Sequence, residues 1–169
     1  DQPPSLLPLL KQRRRKKTLW RFAGRWSVLV LDGHELGASY LRGCTGCSKR
    51  TVNVRGKAAI QSYHRYVLAY LLGKKDGLIL DMEMQGPGEA EMPAARRLMR
   101  RLLKRYPRAF DVVAGDALYL DPRLWKDVLA AGKDFVAVLK NEKRDLLVDF
   151  RELQRLTDSV RLEFKQRVC

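Results

Sequence analysis

Two short apolar runs that each close on an aspartate, separated by a long amphipathic helix, restrict this chain more than any other feature. Residues 27–31 (SVLVL) and 110–114 (FDVVA) are apolar and β-branched, the pattern of buried strands. They deliver Asp32 and Asp116 at their ends. Between them Ala95, Leu98, Met99, Leu102, Leu103 and Tyr106 recur at spacings of three and four, which predicts one apolar helical face. Gly86, Pro87 and Gly88 break the chain ahead of that helix, Glu89 and Glu91 suit the positive end of its dipole, and Pro107 stops it.

The remaining segments extend the pattern. Residues 63–72 (YHRYVLAYLL) and 78–84 (LILDMEM) read as two strands joined by a Gly-bounded turn, a hairpin signal. In the second, Leu78, Leu80, Met82 and Met84 are expected on one face and Asp81 and Glu83 on the other. Residues 35–56 are rich in Gly, Ser, Cys and Arg without a period and read as a loop. A short helix over 122–131, a strand over 135–139 and an amphipathic stretch from Lys143 complete the order βββαβαβα. That order is an α/β domain with a mixed sheet and flanking helices, expected over residues 26–169. Residues 1–25, with Pro3, Pro4, Pro8 and the run KQRRRKK, read as a basic arm or short helix appended to it.

Charge narrows the partners. The chain has 34 Lys and Arg against 19 Asp and Glu, a net +15 over 169 residues. Residues 11–25 carry eight basic side chains and residues 96–108 carry seven, neither with an acid, so these two blocks account for the whole excess. A polyanion is the natural partner, and Arg13, Arg14, Arg15, Lys16, Lys17, Arg42, Lys49, Arg50, Arg97, Arg101 and Lys140 are candidate contacts to a DNA backbone. The plainer alternative is a set of solvated faces that aid solubility. No run approaches the roughly 18 apolar residues of a membrane span, and neither a Walker loop nor a dinucleotide fingerprint occurs. Three cysteines make no disulfide framework, so a cytoplasmic, reducing compartment is expected.

Two carboxylates at the ends of buried strands are costly unless they meet a cation. Asp32 and Asp116 are therefore candidate catalytic residues and ligands for Mg²⁺ or Mn²⁺, which would polarise a phosphodiester. Strand-end aspartates also serve as helix caps. In their order, SVLVL-DGHEL, the hairpin ahead of GEAEMPAARRLMRRL, FDVVAGDALYLDP and GKDFVAVLKNEKRDLL resemble the catalytic domain of IS4-like DDE transposases of bacterial insertion sequences. The resemblance covers residues 26–150. It implies a ribonuclease H-like fold, metal-dependent DNA cleavage and strand transfer, Asp32 and Asp116 as the first two catalytic acids, and a homodimer in a synaptic complex. It also aligns Glu89 with an acid at the start of the family's helix, with a structural role. The family's third acid, a Glu on a late helix, has no counterpart here. Glu142, Glu152 and Glu163 follow the last strand without resembling it, so the chain reads as truncated before that residue. A non-catalytic basic nucleic-acid-binding remnant and a ribonuclease H-type nuclease are the competing readings.

Smaller signals remain open. Cys44 and Cys47 form a C-x-x-C in a basic loop with His34 and His64 nearby in sequence: half a zinc site, or a pair of inert thiols. His34 would position water or phosphate, or is a plain loop histidine. Trp20, Trp26 and the tyrosines at 40, 63, 66 and 70 are expected to pack.

Overall fold

A computed structural model describes residues 6–15, 20–74 and 77–138, together with 148, 151 and 152. The candidate contacts Lys16, Lys17 and Lys140, the side chains of Arg14 and Arg15, and the acids Glu142 and Glu163 lie outside the described residues. The chain divides into two compact units, residues 1–138 and 139–169. In the second, Val148, Arg151 and Glu152 have helical backbone and are exposed. No helix among the described residues is long and apolar enough to cross a membrane.

The first unit begins with α1 (Leu7–Arg15), followed by β1 (Val28–Ser39), β2 (Ser48–Val54), β3 (Lys57–Leu71) and β4 (Leu78–Met84). Then come α2 (Glu91–Arg105), β5 (Val112–Gly115), a 3₁₀ turn (Ala117–Tyr119), α3 (Pro122–Ala130) and β6 (Asp134–Ala137). The molecule is thus α/β with a six-stranded mixed sheet. Along one path the strands run β4-β3-β1-β5-β6. β3 is antiparallel to β1 and β4, whereas β5 is parallel to β1 and β6 to β5. β2 pairs with the first half of β3, on the same side that β4 takes in the second half.

The expected order βββαβαβα is corrected at one place. Residues 35–56 are mostly strand: β1 continues through Ser39, and β2 forms a hairpin with β3. Arg55 and Gly56 both have positive φ, the requirement of a two-residue type I′ turn, so the hairpin closes within two residues. Gly37, at φ +56°, sits where the β1–β3 register shifts between Leu36 and Ala38, a bulge that a side chain would strain. The stretch lacks apolar alternation because neither face of this two-stranded arm is buried.

The face assignment in β4 is corrected as well. Ala69 pairs with Asp81 but Tyr70 pairs with Ile79, so Leu80 is the extra residue of a β-bulge. Past it the alternation inverts. Leu80 is buried, Asp81 and Glu83 turn toward α2, and Met82 and Met84 are exposed.

α2 carries the core on its inner face. Ala94, Ala95, Leu98, Met99 and Leu102 are fully buried against Leu29, Leu31, Val67 and Ala69 of the sheet. Burying each of the larger side chains contributes about 1.5–3 kcal/mol, which outweighs the missing side-chain cap at Ala90. α3 starts sharply because Asp121 accepts from the amides of Arg123 and Leu124 and Pro122 opens its first turn. At the other end of the core Leu10 of α1 is buried, and the amide of Leu6 donates to the Tyr106 hydroxyl at 3.2 Å.

Candidate functional site

Asp32 and Asp116 are brought together by the parallel pairing of β1 with β5. Val28 is level with Val112 and Val30 with Ala114, where the pairing ends; Asp32 follows two residues later within β1, and Asp116 two residues later just past β5. The sequence expectation is corrected in one respect, since neither carboxylate is buried at a strand end. Asp32 lies within β1 because the strand runs on past it, and its side chain is 61% exposed, with His34 Nε2 at 3.2 Å from Oδ2. Asp116 is also exposed and caps the 3₁₀ turn by accepting from the Leu118 amide at 2.8 Å. Desolvation therefore does not demand a cation here; the juxtaposition of like charges is what invites one.

A third carboxylate approaches Tyr119 from the opposite side of the strand. Glu91, in the first turn of α2, lies directly under Gly33: a Cβ at Gly33 would fall 2.2 Å from Glu91 Oε2. Its Oε1 accepts from the Tyr119 hydroxyl at 2.5 Å. Tyr119 in turn is buried just beyond Asp116, and its ring fills the space where a Cβ on Gly115 would stand. Burial first, then the hydrogen bond and charge of Glu91, then the charges of Asp32 and Asp116 push the Tyr119 phenol far above its usual pKa. The phenol thus stays a proton donor to Glu91, within electrostatic reach of Asp32 and Asp116. Asp32 and Asp116 offer hard oxygen ligands, the class that suits Mg²⁺ or Mn²⁺, and both are reachable from solvent, whereas Glu91 does not come within mutual ligand distance of the pair.

Sequence reading singled out Glu89 where the family resemblance places an acid, and Glu91 only for the helix dipole. Helical phase is the signal that separates them. Glu91, Ala95, Leu98 and Leu102 share one face, whereas Glu89 precedes the helix. Glu89 instead accepts from the Gly86 amide and grips Arg97 with both oxygens, at 2.5 and 2.9 Å. These bonds hold its pKa at about 2.

The basic candidates divide into engaged and open side chains. Arg97 also donates to Glu83, and Arg101 bonds both Asp81 and Glu83 at 2.7 and 2.6 Å. Arg50 makes a two-pronged pair with Glu35, 2.8 Å on each arm, and its guanidinium lies over the Tyr63 ring. Arg42 and Lys49, in contrast, are exposed, and no carboxylate pairs with either among the described residues. Arg13 lies on α1, half-buried. His34 leans on the Tyr66 ring beside Asp32, and Cys44 and Cys47 come together with His64 at the base of the β2–β3 arm.

Comparison of the chain with models of known protein families, with characterised proteins and with solved structures finds no match.

Proposed function

We propose that this chain is a ribonuclease H-like catalytic domain of the DDE transposase type, cutting and joining DNA strands with the help of divalent cations. The observation that carries the proposal is the placing of Asp32 on β1 and of Asp116 just past β5, its parallel neighbour in the sheet, with the charges of both acting on Tyr119. The sheet path β4-β3-β1-β5-β6, with β3 reversed and β5 and β6 parallel to β1, supports the fold reading. The excess of basic side chains supports a nucleic-acid substrate.

Asp32 and Asp116 would hold the cation, and Glu91, from the other side of the strand, would set Tyr119 in place beside them. A divalent ion there supplies charge that polarises the phosphodiester and lowers the pKa of an attacking water or hydroxyl. The protein's own groups do the positioning. Tyr119 fixes the rotamer of Glu91, the Leu118 amide fixes that of Asp116, and the missing Cβ of Gly33 leaves room for the Glu91 carboxylate beneath the strand. His34, bonded to Asp32, stands where it can orient a phosphate oxygen or a water. Arg42 and Lys49 would grip the backbone, setting affinity and not sequence choice.

Mn²⁺ titrated calorimetrically into wild type, Asp32→Asn and Asp116→Asn tests the site. Wild type should bind and each variant should lose at least about tenfold in affinity; equal binding by all three proteins overturns the proposal. The sheet path fits a second reading equally, a ribonuclease H-type nuclease. Incubation with a labelled duplex and Mn²⁺ separates the two: joining of ends supports transposition, whereas hydrolysis alone, of DNA or of an RNA–DNA hybrid, supports the nuclease.

A further inference from the structure

We propose that Cys44, Cys47 and His64 form a Zn²⁺ site that fastens the β1–β2 connection onto β3, independent of the carboxylate cluster. Among the described residues this is the group of Cys, His and acidic side chains whose ligand atoms all lie within 4.8 Å of one another. The Sγ atoms of Cys44 and Cys47 are 3.4 Å apart, and His64 Nε2 is 3.4 Å from the first and 3.2 Å from the second. A tetrahedral zinc with bonds of about 2.3 Å to sulfur and about 2.0–2.1 Å to nitrogen spaces its ligands roughly 3.5–3.8 Å apart. The three atoms therefore need to part by only tenths of an ångström to admit the ion.

The backbone is already arranged for it. The Cys47 amide donates to the Cys44 carbonyl, closing the C-x-x-C turn, and the Cys44 amide donates to Cys47 Sγ, both at 3.1 Å. Gly43 lets the turn lie on β3, since a Cβ there would meet Ser62 Oγ at 2.9 Å, and His64 is fixed in β3 by its pairing with Leu36. Both cysteines are free thiols. Cys44 is exposed, so the fourth position opens to solvent and is left for water.

Two thiolates and an imidazole select a borderline-soft ion such as Zn²⁺ over the Mg²⁺ that suits carboxylates. Two thiolates also cancel the charge of the zinc, so the ion would leave the local positive field of Arg42 and Lys49 unchanged. What it adds is a cross-link between the turn that carries Arg42 and the strand that runs back past Asp32.

Co²⁺ and Zn²⁺ titrations of the reduced, full-length chain test the site. One equivalent of Co²⁺ should give the visible bands of tetrahedral coordination and a near-ultraviolet thiolate-to-cobalt band, both displaced by Zn²⁺. Cys44→Ser, Cys47→Ser and His64→Asn should each weaken Zn²⁺ binding by at least about 100-fold, beyond what loss of an outer partner costs. Asp116→Asn should leave the cobalt spectrum intact, which keeps this result separate from that of the carboxylate site. Absence of the thiolate-to-cobalt band in wild type, its survival in Cys47→Ser, or its loss in Asp116→Asn overturns the proposal.

Discussion

Gly33 and Glu91 are coupled through a volume smaller than a methyl group. Adding that methyl, as Gly33→Ala, puts carbon 2.2 Å from a carboxylate oxygen. Because the obstructed atom is the end of a flexible side chain, Glu91 can swing away, so the expected cost lies in the site and not in the fold. Gly33→Ala should unfold within a few degrees of wild type yet bind Mn²⁺ as weakly as Glu91→Gln, read by calorimetry and thermal melting together. A large drop in melting temperature with unchanged Mn²⁺ affinity would sink this coupling. Tyr119→Phe should act differently. It leaves half-buried Glu91 without its donor, which costs about 1–3 kcal/mol of stability. The positions of Asp32 and Asp116 behind β-branched runs were legible in the sequence. Their exposure was not, since it depends on β1 continuing through a polar, Gly-containing stretch that only its partner β3 makes a strand.

The contact between α2 and β4 shows how one bulge redirects an entire strand. With Leu80 as the extra residue, Asp81 and Glu83 point at the helix, where Arg97 and Arg101 meet them and Glu89 closes the network. Period-two reading missed this because a bulge leaves no mark in a strand whose residues already alternate. The helix itself was legible, its apolar spacing surviving intact from sequence to structure. Two outcomes follow from the network. Arg101→Ala takes from Asp81, 13% exposed, its guanidinium partner and leaves Glu83 to Arg97 alone, and should lower stability by about 1–3 kcal/mol in a denaturant titration. Glu89 gives the pH dependence. Its folded pKa of about 2 lies below the usual carboxylate value of 4.5, so its contribution is complete above pH 4.5 and is lost as pH falls from there through 2. The gap in melting temperature between wild type and Glu89→Gln should therefore be constant near neutrality and close on acidification; a gap that persists at pH 2 contradicts it.

Across the whole molecule the positive charge is distributed less evenly than the sequence suggests. The block at 96–108 appears in sequence as seven uncompensated cations, but acids distant in the chain neutralise part of it: Arg97 and Arg101 are held by Asp81, Glu83 and Glu89, and Arg100 lies 3.4 Å from Asp127. Such pairing across elements is invisible to a count along the chain. Arg42, on the connection that follows β1, and Lys49, at the start of β2, remain open to solvent. A cation already paired with a carboxylate must give up that pair to meet a phosphate, whereas an open one simply displaces counterions from the duplex. Each open contact steepens the dependence of log K on log salt by about 0.9. Arg42→Gln combined with Lys49→Gln should accordingly flatten that slope by nearly two units and leave the melting temperature unchanged. Arg97→Gln combined with Arg101→Gln should do the reverse, lowering the melting temperature while moving the slope by less than one unit. Fluorescence anisotropy with a short duplex over a range of salt, paired with melting curves of the same proteins, measures both; a steeper loss of slope in the helix pair than in the loop pair would mean that the helix face, ion pairs and all, is what grips the DNA.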